Sequence, residues 1–256
     1  MDLQLTDRVA LVAGSSRGIG RAIASTLLGE GCRVCITGRD TDALDESTRV
    51  LNAQFGDKIF HFQGDLTDRS VIDEAFAAVS RKWGGLDVLV ANVGSGRGKP
   101  GWQQEDAEWQ RLFSLNFFGA VRLAQAAIPY LQSRGGSILF ISSIVAIEAT
   151  PAPLPYSAAK AALVNYSKNL SRTLAPDGIR VNCLAPGNVL FDGGSWDHRL
   201  KERREEVERY ISTEVPQKRF GTPEEIAKFA AYLVSPTSRF ATGGCYVMDG
   251  GQTRRV

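Results

Sequence analysis

The sequence predicts an α/β fold in which a doubly wound parallel sheet is covered by helices on both faces. Apolar runs of β type alternate with stretches of helical spacing from one end of the chain to the other. Most of these runs are continuously apolar rather than alternating, as expected for strands that are buried on both faces. No linker, repeat or low-complexity stretch divides the chain, so residues 1–256 are predicted to form a single domain.

Seven strands and the helices between them follow from this alternation. The predicted strands are residues 9–13, 34–37, 59–63, 88–91, 138–142, 179–184 and 246–248. The helical patterns include residues 19–28, 71–82, 112–131, 156–174 and 223–234. Two loops interrupt this alternation of strands and helices. One is the glycine-rich segment 94–101, and the other is residues 188–194, which lead into the charged stretch 198–209. That stretch is either a solvated helix face or part of a substrate lid over residues 188–215, and its place near a strand end favours the lid.

Composition argues against several classes of partner. The chain carries 30 basic and 28 acidic side chains, a net charge of +2, and 43% of its residues are hydrophobic. Nothing in this balance indicates a nucleic acid or an anionic membrane as partner. No apolar run approaches the ~20 residues that span a bilayer, and the N-terminus lacks the order of a signal peptide. We therefore expect a cytoplasmic protein without membrane or nucleic-acid partners.

Cys32 and Cys35 form a C-x-x-C spacing that could indicate redox or metal chemistry. Residues 33–37 read as a strand, however, and an offset of three places the two thiols on opposite faces. No second cysteine pair completes a zinc site, and only His61 and His198 could add ligands. We predict ordinary buried thiols and no metal.

A glycine-rich turn with the spacing G-x-x-x-G-x-G joins the first predicted strand to the first helix. Glycine lets the backbone approach a phosphate closely, and the helix N-terminus offers free N–H groups and the positive end of its dipole. The turn is therefore predicted to hold the pyrophosphate of a dinucleotide. Its binding residues are expected to be Gly14, Ser16, Arg17, Gly18, Ile19 and Gly20.

The end of the second strand indicates which nicotinamide dinucleotide binds. A carboxylate there would accept hydrogen bonds from a ribose 2′-hydroxyl and repel a 2′-phosphate. The residues here are Gly38 and Arg39. The guanidinium of Arg39 can form two parallel hydrogen bonds to a phosphate, and Arg17 is expected to approach the same group, which favours NADP(H). The alternative is that Arg39 is a solvated charge on the loop.

An aspartate follows the third predicted strand, in the run Gly64-Asp65-Leu66. It could bond the adenine amino group or cap the next helix. Thr67 and Asp68 are better placed as that cap, which frees Asp65 for a ligand, with Leu66 beside it.

Tyr156 and Lys160 are four residues apart at the start of a predicted helix, so both lie on one face. A nearby ammonium favours the phenolate and is expected to lower the tyrosine pKa toward neutrality, where the pair can exchange protons. Ser143, at the end of the fifth strand, could stabilise a substrate oxygen. Asparagine is unfavourable in the interior of a helix, so the presence of Asn116 within a predicted helix suggests a polar role, such as holding a water. Taken singly, Tyr156 could be a surface ring and Ser143 a helix cap.

Together these motifs resemble the short-chain dehydrogenase/reductase family over essentially the whole chain. The glycine motif reads AGSSRGIG, with Ala13 where the family usually has Thr, and Asn-Asn-Ala-Gly appears as ANVG at 91–94. The family's tetrad maps onto Asn116, Ser143, Tyr156 and Lys160. A Pro-Gly follows the sixth strand at Pro186-Gly187, and Asp-Gly-Gly at 249–251 closes the pattern.

The resemblance implies a seven-stranded Rossmann-type domain, a homotetramer, and an NADP(H)-dependent oxidoreductase acting on a carbonyl or alcohol substrate. Lys160 would also hold the nicotinamide ribose, and Val189 would lie beside the carboxamide. The further cofactor residues it implies are Asn92, Gly94, Pro186 and Gly187. The family's threonine shortly after Pro-Gly is absent from the run Asn188–Asp192, which is NVLFD.

The chain looks most like the 3-oxoacyl-(acyl-carrier-protein) reductases within that family. A carrier protein is acidic, so its docking surface should be basic. Arg134 fits this expectation, with Arg172 and Lys168 not far away, but Asp177 has the wrong sign. An acyl thioester on a carrier is thus one candidate substrate, beside sugars and other hydroxy compounds. A non-catalytic NADP(H)-binding regulator is the alternative from another class, and the intact tetrad argues against it.

Overall fold

The seven predicted strands pair in parallel in one sheet. The computed structural model describes residues 1–99, 101–132 and 135–254. The strands are β1 (Val9–Val12), β2 (Arg33–Gly38), β3 (Ile59–Gln63), β4 (Val88–Ala91), β5 (Gly136–Ile141), β6 (Ile179–Pro186) and β7 (Cys245–Met248). Their order is β3-β2-β1-β4-β5-β6-β7. This order confirms the predicted doubly wound, Rossmann-type sheet, and it reverses direction between β1 and β4.

Eight α-helices connect the strands within the described ranges. They are α1 (Gly18–Gly29), α2 (Thr41–Phe55), α3 (Arg69–Trp83), α4 (Asp106–Phe113), α5 (Gly119–Leu131), α6 (Leu154–Leu174), α7 (Ser195–Glu214) and α8 (Pro223–Val234). The single helix predicted over 112–131 is instead the end of α4, a π-helical turn at Ser114–Phe118, and α5. Helix α2 is not among the predicted helices, because its sequence is polar and buries only Leu44, Ser47 and Leu51.

Side chains near the helix starts satisfy backbone N–H groups that the helices leave free. Asp40 accepts from Ala43 N at 3.1 Å at the start of α2. Thr222 and Glu225 form a reciprocal capping box at the start of α8, where Pro223 already has the φ of a helix. These caps fix the points at which the chain leaves each loop.

Two apolar layers cover the sheet, one on each face. Leu27 of α1 and Ala230 of α8 belong to one cluster with Ile36 of β2, whereas Phe76 of α3 and Phe140 of β5 belong to the other. The five inner strands, β2, β1, β4, β5 and β6, are buried on both faces, which explains why their sequences are continuously apolar, whereas the edge strands β3 and β7 are partly exposed.

Cys32 and Cys35 lie in opposite layers, as the strand offset predicts. Both thiols are buried and free. Burial raises the pKa of Cys32 to about 12, and it raises the pKa of Cys35 as well. Protonated, buried thiols are poor nucleophiles and poor metal ligands. In the described part of the chain, no helix is both long and apolar enough to cross a membrane.

Candidate active site

A cavity of about 840 Å³ opens where the strand order reverses, at the carboxyl ends of the strands. Ligands of open α/β sheets bind at this point because the loops after β1 and β4 diverge to opposite faces and leave a crevice. The predicted residues that line the cavity are Gly14, Ser16, Arg17, Ile19, Arg39, Asp65, Leu66, Asn92, Gly94, Tyr156 and Lys160. The structure thus brings these predicted residues together around one cavity.

The other predicted site residues are not part of this wall. They are Gly18, Gly20, Asn116, Ser143, Pro186, Gly187 and Val189. Val189 is 7% exposed, packs in the core beside β6 and bridges to Gly221. Gly187 donates its N–H to Met248 O at 2.9 Å.

The glycine turn brings the start of α1 against the loop after β4. A Cβ on Gly20 would collide with the Gly14 carbonyl oxygen and lie 2.6 Å from Asn92 Nδ2. That amide nitrogen donates to Gly14 O at 2.9 Å and to Ala13 O at 3.3 Å. Gly14 and Gly18 have φ of +64° and +58°, which favours glycine. The turn therefore leaves backbone N–H groups facing the cavity, as a diphosphate requires.

The tip of β2 carries no carboxylate. Gly38 packs so closely on Ser16 that a Cβ there would be 3.1 Å from Ser16 Oγ. Beside them, Arg39 Nη1 lies 3.6 Å from Asp65 Oδ2, and both side chains are largely exposed. An exposed ion pair of this length is weak, so the guanidinium can turn toward a phosphate at low cost. Arg17 instead points toward Gly193, where an added Cβ would be 3.4 Å from Arg17 Nη1.

Asp65 is less free than the sequence suggested. Its Oδ1 accepts hydrogen bonds from Thr67 N at 3.0 Å and Thr67 Oγ1 at 2.8 Å. Asp68 alone caps α3, since its Oδ1 accepts from Ser70 N at 2.8 Å. Thr67 was wrongly predicted to share that cap, because its hydroxyl is turned back to Asp65. Asp65 and Leu66 still line the cavity, and Oδ2 of Asp65 is the oxygen that lies 3.6 Å from Arg39 Nη1.

Tyr156 is half-buried in the cavity wall. Ser143 caps the short 3-10 turn that follows β5, accepting from Val145 N at 3.4 Å. Burial raises the pKa of Tyr156 above its ordinary value, and the Ser143 side chain opposes this rise. The predicted lowering of this pKa by Lys160 is not found. A protonated phenol is the form that donates a proton to a substrate oxygen.

Lys160 explains this difference. Its ammonium donates to Ile141 O at 2.9 Å and lies over the Tyr156 ring, 6.0 Å from the ring centre. The side chain is only 4% exposed, and burial lowers its pKa to about 8. Its charge is therefore held in a poorly solvated wall of the cavity, where charges act strongly on nearby groups.

Asn116 is fully buried in the π-helical turn. Its Oδ1 accepts from Ser95 N at 2.9 Å, and its Nδ2 donates to Ser95 O at 3.1 Å and Leu112 O at 3.0 Å. Such π-helical turns often occur at functional sites. Here the turn lets a helix side chain pin the loop after β4, and that loop crosses directly over Tyr156, where a Cβ on Gly96 would be 3.2 Å from Tyr156 Cε1.

Loop 188–194 folds over the glycine turn, a contact that no sequence pattern indicated. A Cβ on Gly18 would lie 2.6 Å from Phe191 Cε2, and Phe191 lines the cavity. The loop is tied to the C-terminal segment: Asn188 Nδ2 donates to Gln252 Oε1 at 2.7 Å, and Gln252 Nε2 donates to the Tyr210 hydroxyl of α7 at 2.8 Å. The position of the loop directly after a strand end was the one signal that it would border the site.

The described residues contain no group of three His, Cys, Asp or Glu side chains that could hold a metal ion.

The chain is similar to known proteins over nearly its whole length. Residues 13–253 match the family model described as enoyl-(acyl carrier protein) reductase. The 3-oxoacyl-(acyl-carrier-protein) reductase FabG of Aquifex aeolicus is 31% identical over 98% of this chain and 99% of its own.

Solved structures show the same fold with different ligands. An L-sorbose reductase from Gluconobacter frateurii, complexed with NADPH and L-sorbose, has a TM-score of 0.94 and 32% identity, with full coverage of both chains. A 7α-hydroxysteroid dehydrogenase complexed with NADH and 7-oxoglycochenodeoxycholic acid has a TM-score of 0.90 and 30% identity, over 99% of this chain and 97% of that one. These relatives differ in substrate and in nicotinamide cofactor.

Proposed function

The chain belongs to the short-chain dehydrogenase/reductase family of NAD(P)-dependent oxidoreductases, and from that premise we propose that it is an NADP(H)-dependent reductase of a ketone. The observation that carries the proposal is that Tyr156, whose phenol pKa is raised by burial, shares one cavity with the glycine turn and Arg39. Proton donor and dinucleotide cradle therefore face the same space. The reverse reaction would oxidise the matching secondary alcohol.

The cavity fits a dinucleotide, because the positive φ of Gly14 and the close contacts around Gly20 keep side chains out of the cradle. NADPH, when bound, supplies the hydride that adds to the carbonyl carbon. The residues proposed to hold it are Gly14, Ser16, Arg17, Gly18, Ile19, Gly20, Arg39, Asp65, Leu66, Asn92, Gly94, Tyr156, Lys160, Pro186, Gly187 and Val189. Of these, Gly18 and Gly20 contribute by shaping the turn.

The reaction then needs one proton at the carbonyl oxygen. Tyr156 donates it, and the Ser143 hydroxyl orients the oxygen and stabilises its developing charge. The Lys160 ammonium stabilises the phenolate that Tyr156 leaves behind. Asn116, by fixing Ser95, holds the loop that covers the tyrosine, and we assign it the further role of positioning the water that restores the proton.

Preference for NADP(H) over NAD(H) rests on the tip of β2. Gly38 and Arg39 present a cation and no carboxylate to a ribose 2′-phosphate. The test is a fluorescence titration with NADPH and NADH, followed by NADPH oxidation against an acetoacetyl thioester, ketoses and simple ketones. Tighter NADPH binding with reduction of one class supports the proposal. Tighter NADH binding would contradict the cofactor assignment, and binding without reduction of any carbonyl would favour a regulatory role.

The substrate candidates are a 3-oxoacyl thioester, by likeness to the Aquifex protein, and a sugar, by likeness to the sorbose reductase. Arg134, expected to meet an acidic carrier, lies outside the described residues. Asp177 accepts a hydrogen bond from Gln132 Nε2 at 3.1 Å, which offers a carrier no positive charge. We also propose that residues 188–215 form the substrate lid and that the protein is a cytoplasmic homotetramer, which sedimentation and localisation of the full chain would test.

A further inference from the structure

An arginine projects into the cavity from the loop that crosses Tyr156. A Cβ on Gly96 would lie 3.2 Å from Tyr156 Cε1 and 3.3 Å from Cζ, so the backbone passes directly over the ring. Arg97 is the next residue and lines the cavity together with Tyr156 and Lys160. Arg97 is therefore carried by the loop that crosses the proton donor, one residue after the glycine that lies over its ring, and its guanidinium reaches Gly193 O.

The backbone that carries Arg97 is fixed. Arg97 N donates to Ser95 Oγ at 3.2 Å, and Arg97 O accepts from Arg111 Nη2 at 2.9 Å. Ser95 is held in turn by the buried Asn116, through bonds of 2.9 and 3.1 Å. The side chain of Arg97 thus starts from a defined point above Tyr156, and a group that binds it has a defined distance to the reacting carbonyl.

The charge of Arg97 is not neutralised by the protein. Arg111 forms a forked pair with Glu108, with bonds of 2.8 Å. Arg97, in contrast, has no Asp or Glu oxygen within 4.0 Å among the residues that the structure describes. Its side chain makes one long hydrogen bond, from Nη2 to Gly193 O at 3.4 Å. A bond of that length is easily exchanged for a shorter, charge-assisted bond to an anion.

We propose that the substrate carries an anionic group, a carboxylate or a phosphate monoester, close to its carbonyl, and that Arg97 binds this group and sets the substrate's orientation. This inference rests on the proposed ketone reduction and adds a substrate class to it. A planar guanidinium matches both oxyanions with two parallel hydrogen bonds. Arg97 is thus a specificity-determining residue, and its bond to Gly193 links it to the lid loop, so that anion binding and loop position are coupled.

Arg17 is the natural comparison, because it also lies near Gly193 but belongs to the glycine turn. We assign Arg17 to the cofactor end and Arg97 to the substrate end. If Arg97 instead bound a cofactor phosphate, its removal would weaken NADPH binding in the way expected for Arg17.

The test compares Arg97→Gln with Lys99→Gln, which removes the same charge from the same loop but outside the cavity wall. The substrates are pairs that share a carbonyl: 2-, 3- and 4-oxo acids with their methyl esters, and dihydroxyacetone phosphate with dihydroxyacetone. We expect Arg97→Gln to lower kcat/KM by roughly 10–100-fold for the anionic members of one series, and by less than about threefold for the neutral members. Arg97→Lys should restore part of the lost kcat/KM. Lys99→Gln should change kcat/KM for neither the anionic nor the neutral substrates. The Kd of Arg97→Gln for NADPH should stay within about twofold of the wild-type value.

The series that responds identifies the anion as carboxylate or phosphate. Equal losses for charged and neutral partners, or a weaker NADPH Kd in Arg97→Gln, would overturn the inference. Calorimetric titration of the NADPH-loaded protein with each pair separates the two proposals. Anion binding that depends on Arg97 without any turnover would refute the proposed reaction and leave this inference standing. Turnover of neutral ketones, with Arg97→Gln changing the binding of neither the charged nor the neutral member of a pair, would leave the proposed reaction standing and refute the anion-binding role of Arg97.

Discussion

Replacing Lys160 by Met should make the protein's stability respond differently to pH. The Lys160 side chain is 4% exposed, and burial lowers the pKa of its ammonium from 10.5 to about 8. Met has a similar length and no charge, so the substitution removes the buried cation with little change in packing. It also leaves Ile141 O, which accepts from Lys160 at 2.9 Å, without this donor.

The size of the effect follows from linkage. In the unfolded chain the amine keeps its proton up to about pH 10.5, whereas in the folded protein it loses it near pH 8. Between these values the unfolded state binds more protons, so wild-type stability rises with pH. Each unit of pKa corresponds to about 1.36 kcal/mol, so the wild type should gain about 2 kcal/mol between pH 7 and pH 9.5. The variant lacks this gain. At pH 7, relief of the buried charge and loss of the hydrogen bond, about 1–3 kcal/mol, roughly offset each other.

The assay is urea unfolding of both proteins at pH 7.0, 8.0 and 9.5, at equal protein concentration because subunit association adds to stability. Other titrating groups are common to both proteins and cancel in the difference. We expect the wild type to become more stable relative to the variant by about 2 kcal/mol over this range. A difference that stays constant with pH would show that the ammonium is not destabilised by burial, and the reasoning about the cavity wall would fail.

Three further substitutions test other parts of the site. Arg39→Asp should weaken NADPH binding at least about tenfold and favour NADH, because a carboxylate repels the 2′-phosphate. A fluorescence titration with both cofactors measures this, and an unchanged preference for NADPH would contradict our assignment of the β2 tip. Gly20→Ala should lower the free energy of unfolding by about 1–3 kcal/mol and weaken NADPH binding, since the added Cβ would collide with the backbone carbonyl of Gly14. Gly29→Ala, at the open end of the same helix, should cause neither loss. Gln252→Ala should speed limited proteolysis within 188–215; equal cleavage would show that the C-terminal segment does not restrain the lid.

The strand positions could be predicted from sequence because burial on both faces leaves long apolar runs. The strand positions also indicate which residues share the cavity, since Gly14, Asn92 and Tyr156 all come shortly after a strand end or at the start of the next helix. The rule that ligands bind at the carboxyl ends of such strands needs no tertiary information beyond strand order.

Contacts between loops could not be predicted in this way. The ring of Phe191 lies on Gly18, and the amide of Asn116 pins Ser95, although these partners are far apart in sequence. The pKa of Tyr156 was predicted with the wrong sign, because spacing shows that Lys160 is near but not that its ammonium turns to Ile141 O. Side-chain direction within a shared face is set by packing, which a sequence pattern does not report.

The most direct test of the central claim is single-turnover NADPH oxidation by Tyr156→Phe, with the substrate class that the wild type reduces. Tyr166→Phe, the same change on the same helix outside the cavity wall, is the matched control. If Tyr156 donates the proton, its loss should slow hydride transfer by roughly 10²–10⁴-fold, with the NADPH Kd unchanged and Tyr166→Phe at the wild-type rate. Hydride transfer by Tyr156→Phe at the wild-type rate would contradict the proposed mechanism.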